Sequence, residues 1–233
     1  MNRRAFSTRS GRHILVWIYA FASLSGLAFS SFQNSESRQR LNPTSLDRAL
    51  LEETLIHFTN RVRKENRLVI LRPDTLLTTT ARKHSKEMAG MNYFSHQSPV
   101  AGNRTMEQRF ENSGIALRDV VLGENIGVDY FLDIAGKPYY REYVNGKLTC
   151  INARTEEPIP FQTYESFARQ MVDNWMKSPG HRENILNRAF DRIGLGVAPG
   201  NYQEFPAVYV TQNFLGSSGS NRPNRRSLKS PNE

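Results

Sequence analysis

The segment Trp175-Met-Lys-Ser-Pro-Gly-His-Arg-Glu-Asn-Ile-Leu186 constrains this chain more than any other. Just upstream, Phe167, Met171 and Trp175 recur four apart, so their side chains stack along one face of an amphipathic helix. Pro179-Gly180 stops that helix, because proline has no amide to donate and glycine tolerates left-handed dihedrals. His181 is thereby set at a sharp corner, with one more helical turn over 182–187 and an apolar strand, Ile193–Ala198, behind it. An imidazole on a rigid turn between two packed elements is well held and can still face a cavity. The plainer reading is that it hydrogen-bonds the corner.

Working outward, a first helix is expected from Leu46 to Asn66, with Thr44 or Ser45 as cap and Leu51, Leu55, Phe58 and Val62 as its buried stripe. His57 lies beside that stripe as a half-buried packing residue. A second helix starts at Pro73-Asp74, with Asp74 as cap, and ends near Gly90. Leu77, Ala81, Ser85 and Met88 share its inner face, and His84 sits next to them. His96 follows on a turn closed by Pro99. Thr105-Met-Glu-Gln108 is a capping box that opens a short helix ended by Gly114. Gly123-Glu-Asn-Ile-Gly127 places an acid between glycines, in a loop or at a strand start. Residues 136–152 read as a hairpin turning at Asn145-Gly146. Thr163 caps the Phe167–Trp175 helix, and strands Ile193–Ala198 and Ala207–Phe214 pair across a Pro-Gly-Asn loop. Helices first and paired strands last indicate an α+β sandwich, with helices packed on an antiparallel sheet.

The net charge of +9 over 233 residues raises the question of a nucleic-acid binder. Residues 1–30 contribute +4 and residues 217–233 contribute +3, which leaves +2 for everything between. No basic face for nucleic acid follows from that balance. Arg3, Arg4, Arg9 and Arg12 precede the apolar run 14–29, so residues 1–30 read as a signal peptide or a retained signal anchor. Residues 31–45 read as a linker, 46–216 as the folded domain and 217–233 as a disordered basic tail. The expected location is extracellular or periplasmic, or membrane-anchored through residues 14–29.

His96, Glu124 and His181, if brought together, form two imidazoles and a carboxylate around one cavity. Such a set can hold Zn²⁺ with an open position, or act as an acid–base group without metal. Glu124 can equally cap a helix or pair with an arginine. Ser95 and Ser178 lie near histidines but in no nucleophile elbow, and Cys150, the single cysteine, has no basic neighbour placed to activate it.

The motifs Tyr93-Phe-Ser-His96, Gly123-Glu-Asn-Ile126, Trp175 to Leu186, Ile193-Gly-Leu-Gly-Val197 and Tyr209-Val-Thr-Gln-Asn-Phe214 stand in one order. In that order the chain resembles the bacterial branch of the CAP superfamily (cysteine-rich secretory, antigen 5 and pathogenesis-related 1 proteins), also called SCP-like extracellular proteins. The resemblance covers about 46–216. It implies a single α-β-α sandwich with a central antiparallel sheet and a cavity lined by a His/Glu tetrad. His96, Glu124 and His181 match three tetrad positions, and the two histidines match those that coordinate zinc in some members. The fourth position, a glutamate, falls near Ser178 and is missing. The hairpin at 136–152 has no counterpart in the family's short pattern and is expected over or beside the cavity. Three functions are open: a non-enzymatic module binding a lipid-like, cell-envelope or protein ligand, a metal-assisted hydrolase with Glu124 as base, and a structural surface protein.

Overall fold

A computed structural model describes residues 36–218. The targeting segment at 1–30 and nearly all of the 217–233 tail lie outside the described residues. The elements are α1 (Arg48–Glu65), β1 (Arg72–Pro73), α2 (Thr75–Met91), α3 (Met106–Glu111), β2 (Val120–Tyr130), β3 (Tyr139–Val144), β4 (Lys147–Asn152), α4 (Tyr164–Lys177), α5 (Pro179–Leu186), β5 (Phe190–Tyr202) and β6 (Phe205–Ser217).

The main sheet has the order β1-β5-β6-β2. β5 and β2 run antiparallel to β6, and β1 adds a two-residue parallel pairing at Arg72↔Arg192 and Pro73↔Ile193. Alternation along β5 creates the layers. Ile193, Leu195 and Val197 join one core with Leu51, Leu55 and Phe58 of α1 and Phe167, Met171 and Trp175 of α4. Gly194 and Gly196 face the opposite way, where any β-carbon would strike the backbone of Leu77-Thr78 and Ala81-Arg82 in α2. Two glycines therefore let a helix backbone rest directly on the strand. The result is an α-β-α sandwich.

Local signals are realised in α2 to α4. Asp74 accepts from the amides of Leu76 and Leu77, and Thr105 and Gln108 close a reciprocal capping box. Thr163 caps α4 through the amide of Ser166. At α1 the cap is Asp47, accepting from Leu50, and not Thr44 or Ser45. Asp47 is chosen because its own amide donates to the Tyr164 hydroxyl at 2.8 Å, which fixes where the chain enters the helix. Val62 is only half-buried, and His57 is exposed, edge-on to Phe58. Residues 36–45, expected to be loose, are fastened instead: Leu41 is buried and its amide donates to Gln162.

The last two strands are longer than expected. β5 runs through Pro199-Gly-Asn201, and the turn falls at Gln203-Glu204. β1 pairs only with residues 192 and 193, so at Pro199 the strand is an edge where a missing amide costs no ladder bond. β2 is the other edge. Its alternate carbonyls at Glu124, Ile126 and Tyr130 accept from Asn184 Nδ2, Trp175 Nε1 and Gln162 Nε2. Side chains thus occupy positions that an added strand would need.

The β3–β4 hairpin turns at Asn145-Gly146, both in the left-handed region, as a type I′ turn requires. It contacts the β5–β6 turn: Arg141 meets Glu204 at 3.2 Å and Tyr139 packs on Phe205. Along β2 that end lies six residues from Glu124, on the order of 20 Å. The hairpin, expected over or beside the cavity, is thus fastened at the end of the sheet beyond Tyr130. Across the sheet, Arg63 is buried without a carboxylate, and donates to the carbonyls of Val69, Ile185, Asn187 and Phe190.

Replacing Gly196 by Ala should lower stability by about 3 kcal/mol or more, because the obstacle is helix backbone that cannot rotate aside. Urea unfolding measures this. A loss below ~1 kcal/mol would show that α2 does not rest on the strand as described.

Candidate functional site

Glu124 sits in the middle of β2, neither in a loop nor at a strand start. Its flanking glycines answer packing needs rather than a turn. A β-carbon at Gly123 would come within 2.7 Å of the Phe190 ring, and one at Gly127 would strike Met171. Alternation along β2 then sends Glu124 toward the α2–α3 layer and Asn125 toward α5.

The Glu124 carboxylate is buried, and both of its oxygens are engaged. Arg109 Nη2 donates to both oxygens, at 2.9 and 2.7 Å, and the Arg109 side chain is only 3% exposed. His96 Nδ1 lies 2.9 Å from Oε1. An ionised carboxylate can only accept, so His96 carries a proton on Nδ1 and turns Nε2 outward. The His96 side chain is 53% exposed. Burial pushes the Glu124 pKa up, but the His96 hydrogen bond and the charge of Arg109 outweigh it, and the net position is below the usual carboxylate range.

Arg109 also holds the loop that carries His96. Its Nη1 donates to the carbonyls of His96 and Asn103 at 3.0 and 3.1 Å. Glu87 clamps the same loop, accepting from Ser98 Oγ at 2.7 Å and Asn103 Nδ2 at 2.8 Å. Behind both lies His84, fully buried, with Nε2 lacking a protein partner and Nδ1 3.5 Å from the Tyr93 hydroxyl. Burial lowers its pKa to about 4.

His181 is not at a free corner. Proline suits the first position of a helix, where its missing amide is not needed, so α5 begins at Pro179 and His181 is its third residue. Asn125 Nδ2 donates to the His181 carbonyl at 3.2 Å and to Gln212 Oε1 at 3.0 Å. Asn184 Nδ2 donates to Asn125 Oδ1 at 2.9 Å. Burial, and the nearby charge of His96, lower the His181 pKa. The three residues singled out in the sequence thus gather around the middle of β2, with the histidines approaching from different layers.

The donor set does not fit zinc. Both Glu124 oxygens are consumed by Arg109 and His96, position 178 holds serine, and two imidazoles remain where zinc sites use three or four protein ligands. Among the described residues no group of three or more His, Cys, Asp and Glu is arranged to hold a metal. Glu124 is equally unsuited as a general base, since both of its oxygens already accept hydrogen bonds and its pKa is held down. Burial pushes the Cys150 thiol up and outweighs the charge of Arg141, a basic neighbour directly across the hairpin where none was expected. Arg109 is the residue that sequence reasoning missed. The one signal was its place in the capped turn beside Phe110, pointing a cation inward.

Two outcomes follow. Arg109→Met should cost about 3–5 kcal/mol in urea unfolding, by stranding a buried carboxylate, and adding Glu124→Gln should restore part of it. If the single variant is as stable as the parent, the pair is not buried as described. Stability should also fall as pH drops from 6.5 to 4. In that window the unfolded chain protonates His84 and the folded chain does not, for a loss of about 3 kcal/mol. His84→Leu should flatten that part of the profile, and an unchanged slope would contradict it.

The profile of the cysteine-rich secretory protein family (CAP) matches residues 56–214. Among curated proteins, the chain is 30% identical over 165 residues to the uncharacterized protein YkwD of Bacillus subtilis, covering 71% of this chain and 47% of that one. It is 26% identical over 164 residues to the uncharacterized membrane protein YlbC of the same organism, covering 70% of this chain and 34% of that one. The chain thus spans about half or less of the curated relatives it matches. A solved structure, an extracellular protein containing a SCP domain from Bacillus anthracis, is 26% identical with a TM-score of 0.47, covering 73% of this chain and 41% of its own. With the profile spanning most of the α-β-α domain, the chain belongs to the cysteine-rich secretory protein (CAP) family.

Proposed function

We propose that this CAP domain is an exported, non-enzymatic binding module, whose ligand is a lipid-like, cell-envelope or protein group engaged at the rim formed by His96 and His181. The observation that carries this reading is the ion-paired carboxylate: Glu124 is held ionised by Arg109 and His96, so it shapes the site and is not poised for proton transfer. The loop bearing His96 is fixed from below by Arg109 and Glu87, which is preorganisation for recognition. Export is supported by the basic and apolar segments within residues 1–30. No helix among the described residues is long and apolar enough to cross a membrane.

The test titrates the full chain with dispersed envelope lipids and with solubilised cell-wall fragments, following backbone amide resonances and product release. Saturable shifts at His96 and His181, lost in the His96→Ala/His181→Ala variant and without product, are expected. Turnover that disappears in Glu124→Gln would overturn the reading in favour of a hydrolase.

A further inference from the structure

Two residues from His96 begins a row of aromatic rings that the site does not use. Phe94 packs on Tyr202 at 6.3 Å between ring centroids, Tyr202 on Tyr130 at 6.3 Å, Tyr130 on Phe205 at 5.6 Å, and Phe205 on Tyr139 of the β3–β4 hairpin at 6.3 Å. Tyr209, fully buried, anchors the row from beneath through Tyr202. The end rings are open to solvent, Phe94 at 41% and Tyr139 at 40%, and the three between are half-buried. Tyr202 alone of the row packs on the Met88, Ile126 and Tyr209 core, and the row runs outward from it on both sides.

The turn beside the row supplies an independent observation. Gln203 and Glu204 both occupy the left-handed region, at φ 47° and 70°. The same chain makes its other tight hairpin with Asn145-Gly146, which suit that conformation without strain. At the β5–β6 turn two long polar residues are kept at a conformational cost. Their side chains are spent on the row: Gln203 Oε1 accepts from the Tyr130 hydroxyl at 2.9 Å, and Glu204 pairs with Arg141, whose guanidinium lies 5.5 Å from the centre of the Phe205 ring. Backbone strain retained to position surface rings points to recognition rather than to stability.

Charge and polarity select the occupant. Arg141 is neutralised by Glu204, and at the base of the hairpin Lys137 is neutralised by Asp133 at 2.6 Å. A surface with its charges paired off offers nothing to an anionic headgroup or a phosphate backbone. Its rings meet one another edge to face or tilted, with the end rings Phe94 and Tyr139 the most open, and tyrosine hydroxyls and amide groups lie at their edges. A sugar ring has the matching character, with C–H faces that stack on aromatic rings and hydroxyls that bond at the edge. A succession of rings suits a succession of sugars. We propose that the row from Phe94 to Tyr139 is a docking platform for a neutral polysaccharide chain, a surface separate from the His96–His181 rim.

The experiment is calorimetric titration of the full chain with chitohexaose and cellohexaose, with phosphatidylcholine vesicles in parallel. Saturable binding of at least one hexasaccharide is expected, weakened at least tenfold by Phe94→Ala and by Tyr139→Ala, both at exposed positions. Replacing Gln203-Glu204 by Asn-Gly should raise the melting temperature yet weaken binding, an opposite movement that a purely structural role would not produce. The His96→Ala/His181→Ala variant should bind the sugar as the parent does. Loss of sugar binding in that variant alone would place the sugar at the rim and overturn the platform. Binding of neither hexasaccharide overturns it, as does binding that survives all three row variants. Binding of vesicles without sugar would make the row a lipid face. A concentration-dependent dimer abolished by Tyr139→Ala, without sugar binding, would assign it to a second copy of the chain.

Discussion

A carboxylate cannot leave water without compensation, and the buried pair between Arg109 and Glu124 supplies it at the centre of this site. Much of the surrounding geometry is arranged for that pair. The capping box at Thr105 starts α3 where Arg109 can reach inward. The guanidinium has donors left over, and these hold the carbonyls of His96 and Asn103. One desolvated ion pair therefore sets a strand, a short helix and the loop between α2 and α3. The exposed imidazole of His96 is positioned as a result, not independently.

A second, uncharged network serves the other face of β2. Thr59, Gln212, Asn125 and Asn184 hand hydrogen bonds across the core and reach the backbone of His181. Here no charge is buried, so the cost of leaving a member out falls on single amide groups. Charged satisfaction on one side and amide satisfaction on the other let an edge strand carry polar residues while remaining well ordered. The blocked carbonyls of Glu124, Ile126 and Tyr130 belong to the same arrangement, since Asn184 and Trp175 serve packing and edge protection together.

What could be read from the sequence was local. Asp74, Thr105 with Gln108, Thr163 and Asn145-Gly146 act within a few residues, and each was legible at its position. The ordered motifs were legible as a family resemblance, and with them the fold and the three residues gathered at β2. Errors arose where partners are distant. Glycines at 123 and 127 read as a loop or a strand start, because the atoms they avoid, in Phe190 and Met171, lie far along the chain. Pro199 read as a turn because nothing local reveals that β5 is an edge there. Arg109 carried no motif, and its importance follows only from a carboxylate fifteen residues on.

Arg63 draws a different consequence from the same kind of distance. Its guanidinium ties α1 to carbonyls 122 to 127 residues later, at Ile185, Asn187 and Phe190. β2 likewise finds its partner only in β6, the last of the described strands. Contacts of such long span are slow to close and form late. During synthesis the first helix and the site strand emerge well before the residues that complete them. The described domain is therefore unfinished until β6 has been made, and its assembly waits on the one strand that both β2 and β5 need.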